Sequence, residues 1–171
     1  MDLDEVILRL RKLEEVEKIK ELRGYRFPSA GDPEMDVEAA LRLFTEDGVV
    51  EYSGIGSASG HAELRAFFER DPVNGRFHIF APGKIRVADD LVTGTGSWFM
   101  LETAKAPSIK TGRMEPVWVQ ATYEDEYAKV DDEWKLKYYK CDMRMFCTYQ
   151  DGWGESAVDL DSFFKSAFST E

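Results

Sequence analysis

Two neighbouring stretches of sequence decide the fold: PVWVQATYEDEYAKV at residues 116–130 and EWKLKYYKCDMRMFCT at residues 133–148. Both are rich in aromatic and β-branched residues, and the Asp131-Asp132 dipeptide between them is typical of a tight turn. They predict two antiparallel strands joined by a hairpin. Strands of about 14 residues exceed the usual five or six, so we expect the sheet to curl strongly. A curled sheet capped by helices encloses a mostly apolar cavity.

The segments before this hairpin extend the same sheet. Three of them have a strand-like composition, at residues 76–81, 84–89 and 91–104. Pro82-Gly83 and Asp89-Asp90 separate these segments and predict two further hairpins. A short strand is predicted at 49–52, and the Gly- and Ser-rich residues 54–60 are expected to form a flexible connection.

The remaining segments have helical character. Helices are predicted at 4–27, 34–45, 61–70 and 160–168, because apolar residues recur there at steps of three and four. Pro28 ends the first of them. Helices followed by long strands predict an α+β fold, with helices packed on one face of a curved, antiparallel or mixed sheet. Since no linker or internal repeat divides the sequence, residues 1–171 are expected to form one cone-shaped domain.

Composition excludes several classes of partner. The chain has 33 acidic and 22 basic residues and a net charge of −11. We therefore expect neither nucleic acid nor an anionic membrane as partner, because phosphate binding needs clustered cations. No apolar run approaches the roughly 20 residues that span a bilayer. The first residues lack the features of a signal peptide, so a cytoplasmic location with reduced Cys141 and Cys147 is expected.

The order and spacing of five segments resemble the nuclear-transport-factor-2-like superfamily, and within it the SnoaL-like group. These segments are IKELRGY at 19–25, LFTEDGVV at 43–50, FHIFAPGKI at 77–85, GTGSWFMLE at 94–102 and YEDEYAKV at 123–130. Within this group the sequence resembles bile acid 7α-dehydratases, scytalone dehydratases and hexachlorocyclohexane dehydrochlorinases. The resemblance implies a cone-shaped fold with an apolar pocket and an assembly of two or three copies.

His78 is the main candidate for catalysis. It lies in a predicted strand among aromatic and apolar residues, where a histidine is usually a core residue bonded to a backbone carbonyl. The resemblance instead implies that His78 is a general base, since it matches the position of the family's catalytic histidine. His61, at a predicted helix start, is given no role.

A histidine base needs a carboxylate that orients its second nitrogen. The resemblance offers Glu102 on the long central strand and Asp32 in the loop after the first helix. Glu102 could equally be a solvated carboxylate at the end of its strand, and Asp32 a turn or capping residue.

Two further residues match family positions that polarise a substrate. Tyr25 is the candidate for hydrogen bonding a substrate oxygen, with a core tyrosine as the alternative. Arg144 is the candidate for polarising a carbonyl or assisting a leaving hydroxyl, and its match requires a bulge or a shift of the last strand. The alternative for Arg144 is an ion pair with Asp142 or with a helix carboxylate.

These candidates indicate a dehydratase-type lyase that acts on a hydrophobic, ring-containing small molecule. No cofactor is expected, and the histidine and cysteine spacing does not fit a metal site. An isomerase or a polyketide cyclase remains an alternative, because each reaction begins with a carbanion or enolate. A non-catalytic protein that only binds a small molecule is the other alternative.

Overall fold

The computed structural model describes residues 2–23, 36–108 and 111–152. The elements in chain order are α1 (Leu3–Glu21), α2 (Val37–Leu41), β1 (Phe44–Tyr52), β2 (Gly56–Ser59), α3 (Gly60–Glu69), β3 (Asn74–Val87), β4 (Thr93–Pro107), β5 (Met114–Val130) and β6 (Glu133–Thr148). The six strands form one sheet in the order β2-β1-β6-β5-β4-β3. Strands β1 and β6 are parallel, whereas the other neighbours are antiparallel. The predicted α+β class with a curved, mixed sheet is confirmed.

The two long hairpins are confirmed at the predicted turns. Strands β4, β5 and β6 contain 15, 17 and 16 residues. Asp131 and Asp132 have φ values of 50° and 62°, the left-handed conformation that a tight hairpin turn requires. In the β3–β4 turn, the Asp90 carboxylate accepts hydrogen bonds from the backbone N–H groups of Val92 and Thr93 at 2.9 and 3.0 Å.

The predicted hairpin at Pro82-Gly83 is wrong, because both residues lie inside the single strand β3. Pro82 pairs with Trp98 and Ile85 pairs with Gly96, so three steps along β3 match two steps along β4. This is a β-bulge with one extra residue on β3. Proline has no N–H group to donate within the sheet. Close by, the N–H of Lys84 donates a hydrogen bond of 2.9 Å to the Ser97 hydroxyl oxygen. The chain therefore bends at this point instead of reversing.

The helices agree with the predicted positions, although two of them are shorter. Helix α1 ends at Glu21, and α2 contains only five residues before the chain enters β1. Residues 56–59, predicted as a flexible connection, instead form β2 and pair with β1. The helix predicted at 160–168 lies outside the described residues. None of the helices within the described ranges is long and apolar enough to cross a membrane.

Helix α1 is fixed to the sheet by one buried carboxylate. Glu15 accepts a hydrogen bond of 2.6 Å from the Trp134 indole and pairs with Lys129 at 2.7 Å and Lys18 at 2.9 Å. The Ile19 side chain packs directly on the sheet backbone beside this contact, since a Cβ on Gly94 would lie 3.2 Å from Cδ1 of Ile19. These contacts place the C-terminal turn of α1 over the inner face of the sheet.

A second buried ion pair follows directly after α1. The Arg23 guanidinium lies 2.9 Å from Asp125, and neither side chain is exposed to solvent. The ring of Phe80 lies 4.4 Å from the guanidinium carbon, and those of Tyr123 and Tyr139 lie 4.7 and 4.8 Å away. An aromatic cage of this kind favours a desolvated cation. Two of these rings, Tyr123 and Tyr139, also border the space between α3 and the sheet.

Candidate active site

A cavity lies between α3 and the inner face of the sheet. Helix α3 stands off the sheet on aromatic contacts, with ring centroids 6.0 Å apart for Phe68 and Phe44 and 5.5 Å apart for Phe67 and Tyr52. The cavity has a volume of about 70 Å³, enough for several water-sized groups. Most of its wall is apolar or aromatic, including Tyr52, Phe67, Tyr123, Tyr139, Met143 and Phe146. The predicted apolar pocket inside the curved sheet is therefore present.

His78 and Glu102 meet on the wall of this cavity. They are direct partners across β3 and β4, so their side chains point to the same face of the sheet. Nε2 of His78 lies 2.8 Å from Oε2 of Glu102, and each side chain is only 8% exposed. Of the two carboxylates proposed for His78, Glu102 is the one that the described structure brings to it. Asp32, the other candidate, lies outside the described residues.

The surroundings keep Glu102 ionised. Burial by itself would raise the pKa of the Glu102 carboxyl, but the hydrogen bond from His78 and the charges of His78 and Arg76 outweigh it. The net result is a pKa below the usual range, so Glu102 is an anion at neutral pH. A buried anion in this position orients the imidazole and stabilises it when it takes up a proton.

Arg76 and Asp71 complete the polar wall and were not predicted from the sequence. Arg76 lies two residues before His78 on β3, so both side chains face the cavity. Its Nε is 3.6 Å from Oε1 of Glu102, and its Nη2 forms an ion pair with Asp71. Period-two alternation from His78 could have placed Arg76 on this face. Asp71 follows α3, and only the packing of α3 brings it to the wall.

Two tyrosine hydroxyls form another polar point in the cavity. The hydroxyl oxygens of Tyr52 and Tyr139 are 3.0 Å apart. Burial raises the pKa of both phenols above the ordinary value, so both keep their protons at neutral pH. Cys141 also lines the cavity, and burial raises its pKa to about 12. Its neutral thiol is not prepared to act as a nucleophile.

Arg144 does not reach the cavity. Its side chain is 59% exposed, and its Nη2 lies 2.7 Å from Asp142, which is the alternative that the sequence left open. Ala121 and Gln120 on β5 pair with Met143 and Met145, so Arg144 is the extra residue of a bulge. The expected bulge in the last strand is present, and it leaves Arg144 outside the cavity. Tyr25 lies outside the described residues.

Within residues 2–23, 36–108 and 111–152, no group of three or more His, Cys, Asp and Glu side chains is arranged to hold a metal ion. Cys141 and Cys147 are both free thiols and both buried.

Solved structures with the same architecture come from several bacterial proteins. A protein proposed to be an aromatic ring hydroxylase from Novosphingobium aromaticivorans is 25% identical and superposes with a TM-score of 0.66, over 81% of this chain and 96% of that chain. A proposed scytalone dehydratase from the same species is 19% identical, with a TM-score of 0.62 and coverages of 86% and 92%. The hexachlorocyclohexane dehydrochlorinase LinA-type3 from Novosphingobium barchaimii is 16% identical, with a TM-score of 0.66 and coverages of 82% and 93%. The last two likenesses establish the fold alone.

Family membership follows from the sequence itself. No curated protein matches the chain significantly. The model of the SnoaL-like domain, however, matches residues 11–140, which is most of the sequence. The matched region contains the C-terminal part of α1, most of the cavity wall and both members of the His78–Glu102 pair. The chain therefore belongs to the SnoaL-like domain family of the nuclear-transport-factor-2-like superfamily.

Proposed function

We propose that this protein is a cofactor-independent lyase of the dehydratase type, with His78 as general base. The observation that carries the proposal is the contact of 2.8 Å between His78 and Glu102 on the wall of the cavity. Within the described residues, His78 is the only histidine on the cavity wall, and a buried carboxylate is directed at it. A protein that only binds a ligand has no need for such a pair. Membership of the SnoaL-like family and the dehydratase and dehydrochlorinase names among the related structures support an elimination.

The proposed reaction removes water from two neighbouring carbon atoms. Glu102 pairs with Nε2 of His78, and the imidazole takes a proton from the carbon next to a carbonyl. The electron pair of that C–H bond forms an enolate and then a C=C bond, as the C–O bond on the next carbon breaks. The leaving hydroxide takes the proton from the His78 imidazolium and departs as water, which returns His78 to its neutral form. Glu102 stabilises the imidazolium while the charge is separated.

The tyrosine pair is the proposed hydrogen-bond donor to the substrate. Tyr52 and Tyr139 keep their phenolic protons and line the same cavity as His78. A neutral donor in an apolar site stabilises an enolate oxygen without being ionised itself. In this proposal Tyr52 and Tyr139 supply the polarisation that the sequence had assigned to Tyr25 and Arg144.

The aromatic wall supports a hydrophobic, ring-bearing substrate. Rings of Phe67, Tyr123 and Phe146 border the cavity, and such faces pack well against another ring. The relative that is proposed to be an aromatic ring hydroxylase carries a name consistent with such a substrate. An isomerase or a cyclase would use the same base but would return or redirect the proton.

A reaction in D₂O distinguishes these classes. Purified protein is incubated with cyclic β-hydroxy ketones of one and two rings, and products are followed by NMR and by the ultraviolet absorbance of the conjugated ketone. A lyase produces the unsaturated ketone; an isomerase or cyclase exchanges the α-proton without loss of water; a binding protein does neither. Glu102→Gln should lower the rate roughly 10²–10⁴-fold. Glu102→Gln with the wild-type rate, or no α-proton removal from any member of the series, would contradict the proposal.

We also propose that two or three copies assemble through the outer face of β3 and β4. Four large uncharged side chains on this face are 39–56% exposed: Phe77, Ile79, Phe99 and Leu101. Since each copy has a net charge of −11, an uncharged surface is where copies meet without strong repulsion. The occupant of this face is therefore proposed to be a second copy of the chain.

A further inference from the structure

Four ionisable side chains form a row with alternating charge along the polar wall. Asp71 pairs with Arg76, Nε of Arg76 lies 3.6 Å from Oε1 of Glu102, and Oε2 of Glu102 lies 2.8 Å from Nε2 of His78. The proposed reaction uses only the last two. The side chains of Arg76 and Asp71 are only 15% and 29% exposed. Burying charged groups costs free energy, so the presence of this pair in the wall calls for an explanation.

The outer end of this row is held in a fixed position. The Asp71 N–H donates to the carbonyl of Phe68 at 3.2 Å, and the Asp71 carboxylate accepts the N–H of Val73 at 3.0 Å. These bonds tie the carboxylate to the turn between α3 and β3. Arg76 comes from β3, and its side chain is 15% exposed. The first bond fixes the backbone of Asp71 and the second fixes its carboxylate, so the charge acts on its neighbours without first having to be ordered.

The charge of the row depends on the state of His78. With a neutral imidazole, the two carboxylates and one guanidinium leave a net charge of −1 in a poorly solvated wall. A proton on His78 makes the row neutral. The row is therefore complementary to the imidazolium that forms when His78 removes a proton from a substrate.

We propose that Asp71 is a positioning residue that acts through Arg76 to strengthen the affinity of His78 for a proton. Asp71 holds the Arg76 guanidinium back from Glu102, at an ion-pair distance too long for a hydrogen bond. Glu102 can therefore act mainly as an acceptor for the N–H of His78. The inference rests on the proposed function, in which His78 is the base.

Other charged groups near His78 do not replace this effect. The side of His78 that faces α1 borders a groove with two acidic and two basic residues, Glu17, Lys18, Lys20 and Glu21. Lys20 pairs with Glu17 at 2.6 Å and Lys18 pairs with Glu15 at 2.9 Å. Among the described residues that line the cavity from α3, β5 and β6, none carries a charged side chain.

An NMR titration of the histidine ring tests the inference without any substrate. The chain has two histidines, so His61→Gln assigns the signals of protein labelled with ¹⁵N-histidine. Asp71→Asn frees Arg76 to approach Glu102, and the His78 titration midpoint should fall by roughly one pH unit. Arg76→Gln leaves two carboxylates beside His78 and should move the midpoint in the opposite direction.

Asp142→Asn is the matched control, because it removes one carboxylate that pairs with an arginine on the outer face of the sheet. The control should leave the His78 midpoint unchanged. If Asp71→Asn behaves like this control, or if both wall variants shift the midpoint in one direction, the inference is wrong. Thermal unfolding of each variant confirms that the compared proteins are folded.

The pH dependence of turnover separates this inference from the proposed function. If His78 is the base, the limb of the rate profile that rises with pH should move with the NMR midpoint in Asp71→Asn. Turnover that survives His78→Ala would overturn the proposed function, whatever the titration gives. An unmoved His78 midpoint in Asp71→Asn would overturn the inference, even if His78 is essential.

Discussion

Glu102 lies opposite His78 because β3 contains one extra residue between Pro82 and Ile85. Between the bulge and the β3–β4 turn, Val87 pairs with Gly94 and Ile85 with Gly96. On the other side of the bulge, where His78 lies, the pairing is displaced by one residue. Continued without the bulge, the first register would set His78 opposite Thr103 and turn His78 to the outer face, while Glu102 keeps the inward direction that β4 gives it. The bulge therefore brings the base and its carboxylate to one side of the sheet.

Deletion of Gly83 tests this relationship. Without Gly83, two steps along β3 match two steps along β4 between Ile85 and Pro82, so the bulge is lost while His78 stays opposite Glu102. We therefore expect turnover and the circular dichroism of the sheet to be retained in the deletion variant. The contact is checked by the ¹⁵N chemical shifts of the His78 ring, and a loss of turnover together with changed ring shifts in a folded deletion variant would contradict this register.

Glu15 should make stability depend on acid pH. Burial would raise its pKa, but hydrogen bonds from Lys129, Lys18 and Trp134 together lower the pKa from 4.5 to about 2. A depressed carboxyl pKa stabilises the folded state above pH 4.5, and this contribution is lost as pH falls towards 2. Its full size is about 3 kcal/mol.

Urea unfolding across this pH range measures the effect of Glu15. Glu15→Gln should be less stable than wild type at pH 7 and should lose less stability on acidification. Glu17→Gln is the control, because Glu17 forms an exposed pair with Lys20 and should change stability by less than about 1 kcal/mol. Equal effects of the two variants at pH 7 would refute the assigned role of Glu15.

The buried pair of Arg23 and Asp125 should be far more sensitive than a surface pair. Asp125→Asn leaves a guanidinium with no exposure to solvent beside a neutral amide, which costs about 3–5 kcal/mol. Asp142→Asn breaks a pair with Arg144 at the surface and should cost less than about 1 kcal/mol. Chemical denaturation of both variants makes the comparison, and similar losses would show that Arg23 is compensated in another way.

Assembly is tested by light scattering coupled to size exclusion. Wild-type protein should be a dimer or trimer, and Ile79→Lys should dissociate it, because each interface would then bury a charge without a partner. Leu10→Lys changes an equally exposed apolar residue on α1 and serves as the control. A monomeric wild type, or dissociation by Leu10→Lys alone, would show that copies do not assemble through the outer face of β3 and β4.

The sequence predicted the long strands β4, β5 and β6 and a strand that contains His78, but not the way in which the wall is built. Alternation along a strand is a local property, but in β3 the apolar Phe77 and Ile79 face outward, so the pattern around His78 does not by itself give its inward direction. The bulge at Pro82-Gly83 resembled a hairpin because proline and glycine mark both. Asp71 joins the site only through the packing of α3, and Arg144 leaves it because a bulge turns it outward. Neither position can be predicted from the residues that neighbour Asp71 or Arg144 in the sequence.

The rate of the His78→Ala variant tests the central claim most directly. It is compared with wild type and with His61→Ala, which removes the other histidine, in the conversion of cyclic β-hydroxy ketones to the conjugated ketone. If His78 is the general base, its variant should lose roughly 10²–10⁴-fold in turnover while melting near the wild-type temperature, and His61→Ala should keep the wild-type rate. Wild-type turnover in a folded His78→Ala protein would contradict the account.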